Sequence, residues 1–343
     1  MAEYLGLTFD GRMSSAPEED RFTQFYTKNW AEILATTYYK SETIDWGHRL
    51  RPRLVYWGFL AGSELPLSDE QLDTVAKVAV CIELVHKSSL ILDDYIDRDT
   101  MRHGLPSFYV THGVEKTIMY TIHLLCVSLQ TLTSVYFSHS INGYYYYKSL
   151  TALISTLYNM SLGVLKELDL TCDNLSDIQQ VKEIMDLETS SLIRNSLLLG
   201  YFLSEKIDKN IETAFERIGT KLGYAFQVLN DLEPFCNMKS EAHKGSINTD
   251  VSRGRKNICF SVIFELSSNQ EKRQIATTDD ALLEQLFKKY NIQKIMIDDI
   301  HNVLLNIEDE LSDLRSKIKC DEWADAFLQF IKSVFTTFEN RLN

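Results

Sequence analysis

The chain has 343 residues, 45% of them hydrophobic, with five prolines, fourteen glycines and a formal net charge of −13. That acidity argues against a nucleic-acid partner and against electrostatic adhesion to anionic lipid, both of which favour a basic surface. Scarce proline and glycine favour long helices over many short strands, and the apolar content suffices for a large core.

Residues 1–17 read as a variable tail without the apolar segment of a secretory signal, and residues 18–343 as a single domain. From Glu18 onward Phe22, Phe25, Tyr26, Trp30, Ile33 and Leu34 recur at helical spacing. Ser68-Asp-Glu-Gln71 is a capping-box pattern, and the helix it opens runs through Val75, Val78, Ile82 and Val85 to Asp93. Residues 98–113, with Gly104, Pro106 and Gly113, read as a loop. Helical periodicity then returns over 117–137, 148–170, 176–204, 210–235, 257–267, 281–289, 292–316 and 322–341. Alternating β patterns are absent, so an all-α domain is expected. Tyr144-Tyr145-Tyr146-Tyr147 points in every direction around a helix, so some of its rings pack and others meet water.

Six cysteines are scattered without metal-ligand spacing, which suits buried free thiols in a reducing compartment. The apolar stretches 124–137 and 192–203 are interrupted by polar residues and fall short of the roughly 20 apolar residues of a membrane span. A soluble cytoplasmic protein is the expectation.

The chemistry gathers at Asp93-Asp94-Tyr95-Ile96-Asp97. Asp93 and Asp97, four residues apart, share one helix face and offer hard oxygen ligands suited to Mg²⁺ and, through it, to a diphosphate. An apolar run from Ile82 to Leu92 leads into them, so the negative charge is concentrated where a buried helix ends, a costly arrangement unless a cation arrives.

This segment resembles the first aspartate-rich motif of the trans-isoprenyl diphosphate synthases. Other landmarks of that family follow in order. Gly47-His48-Arg49-Leu50-Arg51-Pro52 resembles its Gly-Lys-Arg-Leu-Arg-Pro, and Phe226-Gln227 with Asn230-Asp231-Leu-Glu233-Pro234 resembles its Phe-Gln and second aspartate-rich motif. The stretch from Lys244 through Asp250 and Gly254 to Arg255 resembles the closing basic motif. The resemblance implies an isoprenoid synthase-type bundle of helices around a deep central cavity, a homodimer, and prenyl transfer from an allylic diphosphate. It implies Asp93, Asp97 and Asp231 as catalytic metal ligands, with Asp94 and Asn230 beside them, and Mg²⁺ as the cofactor. It further implies Arg102 on the allylic diphosphate, Gln227, Lys244 and Arg255 as further substrate-binding residues, and His48, Arg51, His86 and His103 on isopentenyl diphosphate.

Departures from the family pattern matter. Asn230 replaces a carboxylate by a weaker neutral ligand, and Pro234 removes another carboxylate and disfavours helix at Glu233. His48 and His103 stand where the family carries permanent cations, Glu188 stands where it carries a lysine, and Val164 replaces a glutamine beside Gly163. An unperturbed histidine is mostly neutral at pH 7, so the isopentenyl diphosphate site is expected to be weakened, and an atypical acceptor is an open reading. Ser88 and Ser89, five and four residues before Asp93, are small and leave room for a C15 or C20 tail, with Tyr120 and His123 on the next helix as a possible floor. Two alternatives stand beside the prenyltransferase: a terpene synthase on the same fold, and a non-catalytic regulatory subunit.

Overall fold

The computed structural model describes residues 17–39, 44, 47, 49–138, 141–170, 177–236, 257–275, 280–315, 317–318 and 323–342. His48, Lys244 and Arg255 lie outside the described residues, as does the tail up to residue 16. In chain order the helices are α1 (Pro17–Leu34), α2 (Leu50–Gly62), α3 (Asp69–Ile96), α4 (Phe108–His112), α5 (Val114–Ser138), α6 (Gly143–Leu168), α7 (Ile178–Met185) and α8 (Ser191–Leu203). They continue as α9 (Lys209–Cys236), α10 (Ile258–Leu266), α11 (Asn269–Ile275), α12 (Asp280–Lys289), α13 (Ile292–Leu314) and α14 (Trp323–Leu342). Among the described residues the sole sheet is a hairpin, β1 (Met101–Arg102) against β2 (Leu105–Pro106).

The expected capping box is present: Ser68 accepts from the Gln71 backbone and the Gln71 side chain accepts from Ser68. It launches α3, a helix of 28 residues whose middle is buried all round, from Val78 to Val85. Helix α5 runs antiparallel to α3, and the Ser128 hydroxyl donates to the Cys81 carbonyl at 2.9 Å. Counting away from that contact sets Tyr120 level with Ser89. Helix α5 is long and apolar enough to cross a membrane by composition, with mean hydropathy 1.4 over its best window, yet one of its faces packs on α3 as core.

Helix α2 carries no period in the sequence because it is apolar on every side; Leu54 to Phe59 are all buried. It lies at the centre of the bundle, tightly against α8. The approach requires glycine on both helices. A Cβ at Gly58 would stand 2.0 Å from the Leu197 carbonyl oxygen, and one at Gly200 would stand 1.8 Å from that of Val55. Helix α14 closes the same core, and the Trp323 indole donates to the Trp57 carbonyl.

One local structure differs from the sequence expectation. The loop at 98–113 holds an ordered hairpin and α4, because His103 and Gly104 both take positive φ, 49° and 76°, as a type I′ turn demands. The helix expected over 210–235 is α9, which passes through Pro234 to Cys236, and Phe235 stacks on Phe287 at 4.7 Å. A proline in the last turn loses one backbone bond, and this buried ring contact offsets that loss.

Substituting Gly200→Ala is expected to lower unfolding stability by at least 1–3 kcal/mol, since the added methyl meets backbone that cannot move aside. Chemical denaturation of the two proteins measures it; an unchanged midpoint would contradict the α2–α8 contact.

Candidate active site

Helix α3 presents two chemically distinct stripes. One carries His86, Ser89, Asp93 and Asp97, residues at successive three- and four-residue steps and therefore on one face. The neighbouring stripe carries Glu83, Lys87 and Asp94, three charged residues that are each 2% exposed or less. Such burial is tolerated only where charges are paired. Here each end of the stripe fastens a basic segment.

At the C-terminal end, Asp94 accepts from Arg102 Nε at 2.6 Å and Nη2 at 2.5 Å, while Asp93 lies 3.5 Å from Nη2. The β1–β2 hairpin turns Arg102 back toward the helix to make these contacts. Burial opposes the Arg102 charge, but its bond to Asp94 and the nearness of Asp93 and Asp99 more than offset this and hold the guanidinium above its ordinary value. Carboxylates at a helix C-terminus face the negative end of its dipole, and Arg102 supplies the compensation. Arg102 thus meets the acidic motif directly. His103 stands exposed at the hairpin tip.

Seven residues earlier lies the basic end. Arg49 contacts Glu83 at 3.0 Å, and Lys87 contacts the same carboxylate oxygen at 3.2 Å. Arg51 Nη1 lies 2.9 Å from His86 Nε2. Arginine has no acceptor, so this imidazole nitrogen accepts and the ring proton sits on Nδ1. Burial, with Arg51, Lys87, Arg102 and Arg49 around it, pushes His86 well below its usual value, consistent with a neutral ring. Arg51 Nε is buried without a hydrogen-bond partner, and burial lowers its guanidinium to about 10. Lys87, unanticipated in the sequence, is wholly buried, and desolvation brings its ammonium to about 8.

Opposite α3, a π-turn at Asp186–Ser190 joins α7 to α8. Insertions of this kind recur at functional sites. It aims Thr189 at α9, where its hydroxyl donates to Gln227 Oε1 at 2.6 Å. Gln227 Nε2 donates to Asp231 Oδ1 at 2.7 Å, and Asp231 Oδ2 accepts the Ile258 backbone N–H at 2.7 Å. Asp231 is therefore buried and anchors the start of α10, while Asn230 is exposed. Gly163 admits Glu188: a Cβ there would lie 2.5 Å from Glu188 Cγ.

The two serines separate. Ser88 is buried in the packing with its hydroxyl on the Val85 carbonyl, whereas Ser89 shares the face of Asp93 and is partly exposed. Tyr120 is buried and stacks on Phe108 at 5.0 Å, while Tyr39 meets it edge-on at 4.9 Å. A separate cleft of about 430 Å³ between α7, α9, α10 and α13, lined by Lys182, Tyr224 and Asp299, contains none of the side chains expected to act.

Asp93 and Asp97 have the donor chemistry for Mg²⁺. Among the described residues no three His, Cys, Asp or Glu side chains converge as a ready-made cage. Mg²⁺ commonly takes one or two carboxylates and completes its shell with water and substrate phosphate.

The all-α bundle, with a carboxylate face on α3 and basic residues brought to the same helix from the start of α2, is of the isoprenoid synthase class of fold. A family model described as polyprenyl synthetase matches residues 34–301. The geranylgeranyl diphosphate synthase of Saccharolobus solfataricus is 25% identical over 234 residues, 68% of this chain and 67% of its own. The farnesyl diphosphate synthase of Buchnera aphidicola is 26% identical over 279 residues, 78% of this chain and 93% of its own. Among solved structures, the geranylgeranyl pyrophosphate synthase of Corynebacterium glutamicum, complexed with isoprenyl diphosphate and magnesium, has a TM-score of 0.73 at 18% identity, covering 91% of this chain and 95% of that one. The chain belongs to the polyprenyl synthetase family and is a prenyltransferase.

Burial of Lys87 has a measurable consequence. Its ammonium titrates near 8 when folded but near its ordinary 10.5 when unfolded, so between those values the unfolded chain binds more protons. Relative to Lys87→Met, the wild type is expected to gain stability from pH 8 to 10, by at most about 1.4 kcal/mol per pH unit. Parallel denaturant midpoints would refute the burial.

Proposed function

We propose that the protein is a Mg²⁺-dependent prenyltransferase that ionises a C15 or C20 allylic diphosphate and joins its prenyl group to isopentenyl diphosphate. The carrying observation is the single stripe of α3 that holds His86 and Asp93 about 10 Å apart, two turns along one face. Two diphosphates, one at the carboxylates and one at the Arg51–His86 pair, would lie side by side with their carbon chains free to meet. The names of the relatives agree with this reading, since they are prenyl diphosphate synthases.

In this reading Asp93 and Asp97 hold the metal, which when bound supplies Lewis-acid stabilisation of the departing diphosphate. Asp94 keeps Arg102 at the rim, where its charge faces the same leaving group. Arg51 would offer its guanidinium to the acceptor diphosphate, and neutral His86 would gain a proton as that anion arrives and raises its pKa. Ser89 leaves the allylic tail an open path, and Tyr120, level with it on α5, forms the floor.

The decisive assay supplies farnesyl or geranylgeranyl diphosphate and Mg²⁺, with and without isopentenyl diphosphate, and follows pyrophosphate and extracted products. Elongation that depends on isopentenyl diphosphate is expected, with Asp93→Asn slower by on the order of a hundredfold or more. Pyrophosphate release without the acceptor would replace this reading with cyclisation, and silence under every condition with a regulatory subunit. Ser89→Phe is expected to shorten the product by at least one five-carbon unit; an unchanged product spectrum would remove Ser89 from the tail path.

We infer a homodimer as well, formed through α5 and α6. Met119, Ile154, Tyr158 and Leu165 are each more than half exposed there, an apolar surface of the kind that marks an interface. Light scattering is expected to give twice 39.6 kDa for the wild type and 39.6 kDa for Ile154→Glu with Tyr158→Glu. A monomeric wild type would contradict it. A cytoplasmic location is supported by free Cys81, Cys126, Cys236 and Cys259.

A further inference from the structure

Lys87 has no place in the chemistry above, yet it is the most deeply buried cation among the described residues, at 0% exposure. Burying an ammonium is expensive, and a methionine of similar length would pack without that penalty. Its position explains the charge. Glu83 fixes it from one turn below, and its Nζ stands 3.1 Å from where a Cβ on Gly47 would lie, directly under the segment that carries Arg49 and Arg51. Gly47 itself takes φ of 98°, so this close passage over Lys87 has a backbone conformation suited to glycine. On the neighbouring stripe, one residue back along the helix, lies His86, the neutral partner of Arg51.

We propose that Lys87 is a positioning and specificity-determining residue of the acceptor pocket, which with Glu83 props Gly47 and Arg49 and adds a positive charge behind Arg51 and His86 for the diphosphate of isopentenyl diphosphate. The proposal rests on the reading of that pocket as the acceptor site. Three observations support it. The exposed face of the cluster presents one guanidinium whose hydrogen-bond partner is uncharged, too little for a diphosphate by itself. Arg49 and Lys87 share one carboxylate oxygen, so the segment and the lysine are mechanically joined. At neutral pH the lysine stays cationic, since its ammonium is lowered only to about 8. Low-dielectric surroundings let a charge act through a few ångströms more strongly than it would in water.

The test compares wild type with Lys87→Met, measuring steady-state kinetics for both substrates. KM for isopentenyl diphosphate is expected to rise at least tenfold, with KM for the allylic substrate and kcat within threefold. A uniform fall in kcat with both KM values unchanged, or no change at all, would overturn the proposal. Glu83→Gln with Lys87→Met removes both charges together and guards against misfolding of the single variant; it should show the same selective rise. Calorimetric titration with isopentenyl diphosphate alone separates this inference from the reaction. Binding by a wild type that fails to elongate, lost in Lys87→Met, would overturn the proposed reaction and uphold the role of Lys87. Equal binding by both proteins, or none by the wild type, would overturn the role of Lys87.

Discussion

Burying charge on α3 is the constraint around which the site is organised. Glu83, Lys87 and Asp94 lie inside the protein, and none is tolerable there without fixed partners. Glu83 therefore fastens Arg49, and Asp94 fastens Arg102. These partners come from segments on opposite flanks of α3 in the chain, one leading into α2 and the other in the hairpin after the helix. One row of buried ion pairs thus sets the positions of two basic groups relative to the carboxylates between them. The adjacent stripe runs from His86, bonded to Arg51, to Asp93 beside Arg102, so the same two basic groups meet both stripes.

A second fastening comes from the far wall. Thr189, Gln227, Asp231 and the Ile258 N–H form a continuous hydrogen-bonded line from the π-turn through α9 to the start of α10. It depends on α9 lying close to the π-turn, which Gly223 permits: a Cβ there would come within 2.3 Å of the Ser190 Cα. Asp231 sits in this line as an acceptor on both carboxylate oxygens. The degenerate second acidic motif consequently holds two helices together whether or not it also meets a metal.

Much of this was legible in the chain because it is local. The Asp93–Asp97 spacing, the capping box at Ser68 and the long helical periods depend on neighbours within a turn or two, and the structure carries them where the pattern placed them. Helix α2 was hidden, since a segment buried on all sides shows no period. The hairpin was hidden too, because two-residue strands are too short to alternate. The role of Lys87 was illegible for a different reason: beside His86 it reads as an ordinary helix lysine.

The sequence by itself determined the helical class, the order of the motifs and the carboxylate face, since each follows from side-chain spacing along one backbone. Only the tertiary structure decided which charges are inside, which serine is buried and what Arg102 and Asp231 hold. Burial and ion pairing join residues tens of positions apart, and their energy depends on the dielectric around them, a property of the packed molecule.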